Sequence, residues 1–150
     1  MEETLNISSK SEDWRARLLS NIAATPFTLF GKQFASVEGF WQGLKFPEGS
    51  PEQEKVFRMV GYEAKKTGKK APKRNTFTWR GKTYRVGSPE HQNLMRQALW
   101  AKFTQDRRAR EALLATKGMV LTHIMPKDSV TIPGVIFAQM LMEIREKLIP

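Results

Sequence analysis

Ser36-Val37-Glu38-Gly39-Phe40-Trp41-Gln42-Gly43-Leu44-Lys45-Phe46 is the stretch around which the chain is organised. Ser36 has the side chain of a helix N-cap and Pro47 disfavours helix at Phe46, so a helix is expected between them. Val37, Phe40, Trp41 and Leu44 fall at i, i+3, i+4 and i+7 and form one apolar stripe. Glu38, Gln42 and Lys45 fall at i, i+4 and i+7 and form a polar stripe about a quarter-turn away. A rise of about 1.5 Å per residue sets Glu38 and Lys45 roughly 10 Å apart along the axis, with Gln42 between them. That is too far for an ion pair and suits two groups flanking a bound sugar. A solvated polar face beside a core stripe has the same periodicity, so spacing alone leaves both readings open.

The 150 residues are enough for one domain with a real core, and 40% hydrophobic with 27% charged residues indicates a globular chain. No apolar run approaches bilayer length, and MEETLNISSK lacks a hydrophobic signal core, so a cytoplasmic protein without a membrane partner is expected. There is no cysteine for disulfides or thiolate chemistry, and His91 and His123 are too few for a histidine-rich metal centre. No cofactor and no metal are expected. The net charge is +10, and Lys65, Lys66, Lys69, Lys70, Lys73 and Arg74 concentrate part of it in one tract. Such a tract attracts polyanions, as nucleic acid or as pyrophosphate, and it is also what a solvated loop looks like.

Outward from the central stretch, residues 1–17 read as a lead-in and 18–150 as the domain, with residues 1–13 loosely ordered and Trp14 to Leu19 a short helix or turn. Phe27, Leu29 and Phe34 around Gly31-Lys32 read as a hairpin. Pro51 to Gly68 reads as one helix, with Ser50 as N-cap and Val56, Val60 and Ala64 on one face. Gly68 to Asn75 reads as a basic surface loop. Phe77, Trp79, Tyr84 and Val86 alternate around Arg80-Gly81-Lys82-Thr83, a second hairpin or extended arm. Ser88-Pro89-Glu90 opens a helix running toward Phe103, and Arg107 to Ala115 forms another. Met119 to Met125 is extended, and Pro133 to Leu148 is helical with Ile136, Met140, Ile144 and Leu148 on one face. The fold class is α+β, mainly helical with short β-hairpins.

No general catalytic motif is present: no Gly-rich phosphate loop, no HExxH and no GxSxG. What remains is dispersed. His123 is a core histidine or a catalyst, Asp128-Ser129 a turn or a polar pair of a site, and Trp41 and Trp79 core residues or stacking platforms. Lys102 reads as a snorkelling surface lysine.

The order of motifs carries more. Leu19-Ser20-Asn21-Ile22, Pro26-Phe27, Gly31 and then Glu38-x-x-x-Gln42-x-x-Lys45-Phe46 resemble the NADAR superfamily with its YbiA-like members. Trp79, Gly87-Ser88, Ala101-Lys102-Phe103-Thr104-Gln105, Leu113-Leu114-x-Thr116 and Leu141-Met142-Glu143-Ile144-Arg145 follow in the family's order. The resemblance covers roughly residues 18–148 and is most specific in the central helix. It implies a compact, mainly helical α+β domain that cleaves N-glycosidic bonds of ribosyl groups. One branch acts on early riboflavin-pathway intermediates. Another removes ADP-ribose from guanine in nucleic acid and often opposes an ADP-ribosyltransferase toxin as part of a toxin–antitoxin pair.

By that similarity Glu38 and Lys45 match the catalytic pair, with Lys45 attacking the anomeric carbon to give a Schiff-base intermediate that water releases. Asn21 and Trp79 match pocket-lining positions, and Trp41, Gln42, His123 and Asp128 join them as candidate substrate contacts. The six basic residues of the tract are the candidate nucleic-acid contacts. Ile22 replaces the usual aromatic after Ser-Asn, and Asp106 stands where asparagine is commoner. Asp128 is followed by Ser129 rather than by the Trp-Gly of the riboflavin-type branch, which favours the ADP-ribosyl branch. The expected substrate is ADP-ribosylated guanine in nucleic acid. The alternatives are a small ribosyl phosphate, or ligand binding without turnover by a module for ADP-ribose, NAD or nucleic acid.

Overall fold

A computed structural model describes residues 2–150. Helix α2 (Val37–Gly43) sits at the junction of the molecule. The Ser36 hydroxyl accepts from Gly39 N at 2.9 Å and donates to the Met59 carbonyl at 2.9 Å, so one side chain caps α2 and ties it to the turn after α3 (Pro51–Phe57). Gly39 and Gly43, one helical turn apart, form the face that meets α3. A Cβ on Gly43 would lie 2.4 Å from two atoms of the buried Phe57 ring, and one on Gly39 would lie 2.7 Å from Met59 O.

The expected single helix over 51–68 is two helices, α3 and α4 (Gly61–Gly68). The break follows from Gly61 at φ +64°, a backbone state that an α-helix cannot carry. Splitting there lets α4 turn back onto α2. Gly68 does end α4, and it also packs on α2: a Cβ there would lie 1.8 Å from Gln42 Oε1.

Both hairpins form. β2 (Phe27–Leu29) pairs antiparallel with β3 (Lys32–Phe34), and β4 (Thr76–Trp79) with β5 (Lys82–Arg85). Their two-residue turns, Phe30-Gly31 and Arg80-Gly81, have positive φ throughout, as type I′ turns require. The tips meet, with the Arg80 guanidinium 4.2 Å from the Phe30 ring centroid. The strands supply Phe27, Phe34 and Trp79 to an aromatic cluster with Phe40 and Phe57; Phe34 lies 4.8 Å, centroid to centroid, from both of the latter.

Residues 2–13 differ from the expectation of loose order, residue 1 lying outside the described residues. β1 (Thr4–Asn6) pairs in parallel with β6 (Val120–Thr122), and Leu5 and Ile7 are buried. The alternation of polar and apolar residues over Thr4 to Ile7 is short, and its partner lies far along the chain, so local sequence does not announce it. α1 (Trp14–Leu19) follows, capped by the Asp13 carboxylate.

The long helix α5 (Pro89–Gln105) packs against α2, β2, α6 (Arg107–Leu114) and α7 (Gly134–Leu148). Asp106 caps α6 by accepting from Ala109 N, a role that asparagine fills equally well. Lys102 is fully buried rather than snorkelling at the surface. It lies in phase with Met95, Ala98 and Leu99, so the helix face that buries them buries it too. Its amine donates to the Ser20 carbonyl at 3.0 Å. Burial pushes its pKa down to about 7, against the opposing pull of Asp106.

Two consequences can be measured. Gly43→Ala is expected to cost about 1–3 kcal/mol by forcing the Phe57 ring out of place, read as a lowered denaturation midpoint. For Lys102, the unfolded chain holds its proton up to about pH 10.5 and the folded chain only to about pH 7. The unfolded state therefore binds more protons across that window, and stability rises with pH through it. Lys102→Met is expected to flatten the rise, measured as Tm against pH for both proteins; parallel profiles would show that the amine does not titrate there.

Candidate functional site

Glu38 lies in the first turn of α2, where the helix N-terminus favours a carboxylate. Its backbone N–H donates to the Asn21 carbonyl at 2.9 Å, which brings the Ser20–Asn21 turn against the helix. Gln42 Nε2 donates to Glu38 Oε1 at 2.9 Å, so two members of the expected polar stripe do meet. Lys45 departs from that stripe. The helix ends at Gly43, and Lys45 N and Phe46 N bond to Gln42 O and Gly43 O in a tightened final turn. Pro47 disfavours α-conformation at Phe46, so the helix does not continue beyond this turn.

That turn sets Lys45 on the wall of a cavity of about 250 Å³, with Arg74, Thr76, Phe77 and Thr78 on the facing side. Lys45 keeps contact with solvent because the cavity is open. Even so, desolvation among its neighbours lowers its pKa, Glu38 opposes that shift, and Lys69 adds to it by like-charge repulsion. The acid, the amine and one lysine of the basic tract thus lie within electrostatic reach of one another.

Among the described residues, neither Lys45 nor Arg74 forms an ion pair. Glu48 also lines the cavity, but its carboxylate accepts from the backbone N–H groups of Arg80 and Gly81 in the hairpin turn. Lys45 and Arg74 therefore line a partly enclosed space without a direct ion pair to either nearby carboxylate, Glu38 or Glu48. A bound anion is what that arrangement can satisfy.

Buried polar atoms nearly always have partners, so the exceptions are informative. Among the described residues four buried side-chain atoms have none, and three of them, Asn21 Oδ1, Gln42 Oε1 and Trp79 Nε1, belong to residues singled out from sequence. Asn21 and Gln42 both touch Glu38. Trp79 is otherwise part of the aromatic core.

Trp41 stacks on His91 with ring centroids 4.2 Å apart and an interplanar angle of 8°. His91 meets Phe77 edge-on, and Phe77 stacks on Tyr84. The chain of rings runs from α2 to the cavity wall. Burial pushes the His91 pKa down to about 4, so the ring is neutral at pH 7, and Nδ1 accepts from Gly87 N. Sequence reasoning passed over His91, Glu48, Thr76, Phe77 and Thr78 as site residues. The alternation at 77–86 marks strands, but nothing local shows which strand walls a cavity.

His123 and Asp128 are brought together elsewhere, at the start of α7. His123 Nδ1 lies 3.0 Å from Ile7 O, and its ring packs edge-on against Phe137. Asp128 accepts from the N–H groups of Ser129 and Gly134. Neither lines the cavity beside Lys45. Of the basic tract, Lys65 and Lys66 lie on α4, Lys69 follows it, and Lys70 and Lys73 are exposed in the loop. Arg74, grouped with them by sequence and exposed like them, also lines the cavity. Among the described residues no His, Asp and Glu cluster could hold a metal ion, and no helix is long and apolar enough to cross a membrane.

Comparison with known proteins bears on this arrangement. Residues 13–146 match the family of bacteriophage protein GP30.3. An uncharacterized 17.1 kDa protein from the Gp30–rIII intergenic region of enterobacteria phage T4 is 32% identical over 142 residues, covering 90% of this chain and 93% of that protein. The NMR structure of the E. coli protein YbiA superposes with a TM-score of 0.69 at 27% identity, covering 99% of this chain and 86% of that one. With its helical α+β fold built around α2, the chain belongs to the GP30.3 family and, with YbiA, to the NADAR/YbiA-like superfamily.

Proposed function

We propose that the protein is an N-glycosidase that releases ADP-ribose from modified guanine in nucleic acid, with Lys45 as nucleophile. The observation that carries this reading is Lys45 itself: a lysine of lowered pKa on a cavity wall, within electrostatic reach of Glu38 and unpaired with any carboxylate. An amine attacks carbon only in its neutral form, and desolvation beside Lys69 raises the neutral fraction.

The Lys45 Nζ lone pair bonds to the anomeric carbon as the N-glycosidic bond breaks. The bonding electrons leave with the base, which takes up a proton. Glu38 opposes the positive charge that develops on the sugar, and Gln42 fixes the carboxylate in place. Ring opening gives a Schiff base between Lys45 and the sugar. Water then adds to the imine carbon and expels the amine, freeing ADP-ribose and restoring Lys45.

Arg74, across the cavity, is suited to the 5′-phosphate of the ribosyl group. At about 250 Å³ the space is below the range that encloses a drug-sized ligand. It fits the reacting pentose and one phosphate, leaving the rest of the substrate outside. The same observation favours a second reading, hydrolysis of a small ribosyl phosphate of the riboflavin-intermediate type.

On a guanine-ADP-ribosylated single-stranded oligonucleotide, wild type is expected to release ADP-ribose and Lys45→Ala to release none, with borohydride trapping of a sugar–enzyme adduct lost in the variant. Trapping that survives Lys45→Ala would remove Lys45 as nucleophile. Glu38→Gln is expected to lower kcat by a factor on the order of 10²–10⁴. Arg74→Ala should raise KM roughly 10- to 100-fold, the worth of one charged hydrogen bond, with kcat little changed. Release of ribose 5-phosphate from a pyrimidine ribosyl phosphate, with no ADP-ribose release, would select the second reading. Binding of ADP-ribose without either turnover would indicate a non-catalytic module.

A further inference from the structure

A second, larger depression of about 480 Å³ lies between α1 and the start of α4, lined by Trp14, Arg17, Leu18, Ile22, Gly61 and Tyr62 among others. It adjoins the candidate site through the backbone: Gly61 N bonds to Ile22 O, and Ile22 follows Asn21. Its two aromatics are unusually open, Trp14 at 46% and Tyr62 at 49% exposure. Large exposed aromatics grouped on one face are a mark of a binding surface.

Tyr62 is held rather than floppy. Its hydroxyl lies 3.0 Å from Ser9 Oγ, and the Lys10 amine sits 5.8 Å from its ring centroid. Tyr62 and Lys66 on α4 and Lys69 at its C-cap fall at i, i+4 and i+7, a single exposed stripe about 10 Å long. Ala64 and Gly68 face inward, and Glu63, the one acid of the helix, lies about a quarter-turn off the stripe. The far end of the stripe, Lys69, is the lysine that acts electrostatically on Lys45. Aromatic platforms at one end therefore lead by a line of cations to the cavity at the other.

We propose that this face is a track for single-stranded nucleic acid, in which bases stack on Trp14 and Tyr62 and the backbone follows Lys66 and Lys69 toward Lys45. The direction of the track rests on the glycosidase reading; its capacity to bind a strand does not. Unpaired bases offer π-faces to exposed rings, whereas the bases of a duplex are already stacked on one another, so the strand is single. A second copy of the chain is disfavoured as occupant, because a two-fold contact through this face would oppose Lys10, Arg17 and Lys66 to their own copies. A strand of phosphates complements the same charges.

The test is fluorescence anisotropy of a labelled, unmodified oligothymidylate titrated with the full chain at several salt concentrations. A Trp14→Ala, Tyr62→Ala double variant is expected to bind at least tenfold more weakly, since each base–aromatic stack is worth about 1–3 kcal/mol. Trp14→Phe with Tyr62→Phe should retain most of the affinity. Lys66→Gln should lessen the slope of log K against log salt by about 0.7. Both ring positions are half exposed, so the variants are expected to keep the wild-type Tm, which is measured alongside.

Unchanged affinity in the double variant, or equal loss in the Phe variant, would overturn the proposal. So would equal binding of wild type and double variant to heparin and oligothymidylate alike, which would reduce the effect to net charge. A wild-type dimer in sedimentation that the double variant abolishes would make the face an interface between copies and also overturn it. Because the oligonucleotide carries no ADP-ribose, binding is read without turnover. Loss of binding here leaves the Lys45 chemistry standing for small substrates, and a failure of turnover leaves the track standing.

Discussion

The approach of α2 to α3 and α4 is the constraint on which the remaining architecture depends. Helix axes come this close only where one surface has no side chains, and Gly39 and Gly43 clear that surface toward α3 while Gly68 clears it from the α4 side. The aromatic cluster then closes over the adjoining face of α2 through Phe40, with Phe57 packed against both faces. With both faces gripped, α2 cannot rotate, and the remaining polar edge, Glu38 and Gln42, is fixed in direction. The chemistry of the site is therefore set by packing. The glycines carry no reactive group, yet they decide where the reactive groups point.

Charge is organised on a second level. A net charge of +10 would serve only as a diffuse attraction if it were spread evenly. Here two cations border the cavity and a line of others leads toward it along α4. Like-charge repulsion from Lys69 adds to the desolvation that favours a neutral amine at Lys45. The carboxylate of Glu38 keeps the shift of Lys45 within bounds.

Much of this is legible in the amino-acid sequence. The N-cap role of Ser36, both hairpin turns and the starts at Ser50-Pro51 and Ser88-Pro89 are local events, decided by one or two side chains with fixed conformational preferences. Glu38 and Gln42 are local too, being one turn apart on one helix. What escaped was non-local or a matter of degree. Lys45 leaves the helix because the final turn tightens to i→i−3 bonds, which moves a side chain without altering the pattern. Arg74 belongs to a basic run by composition and to a cavity by the path of the chain. Lys102 looks like any helix lysine until its phase with Met95, Ala98 and Leu99 is seen to bury it. The neutral His91 is set by stacking partners from two other elements, which no window of sequence contains.

The parallel pairing of β1 with β6 joins Thr4 to Val120, a separation of 116 residues along the chain (120 minus 4). Parallel ladders need a crossover, and here nearly the entire domain is the crossover. On a ribosome, where synthesis runs from the first residue onward, β1 is made early and has nothing to pair with until β6 emerges. The entropic cost of that closure is lower for a chain whose intervening elements are already folded than for an open one. The same ladder ties Ile7 to the segment carrying His123, through Ile7 N to Thr122 O and through the imidazole to Ile7 O. The segment leading into α7 therefore takes up its final bonds only once residues 4–7 have met residues 120–123.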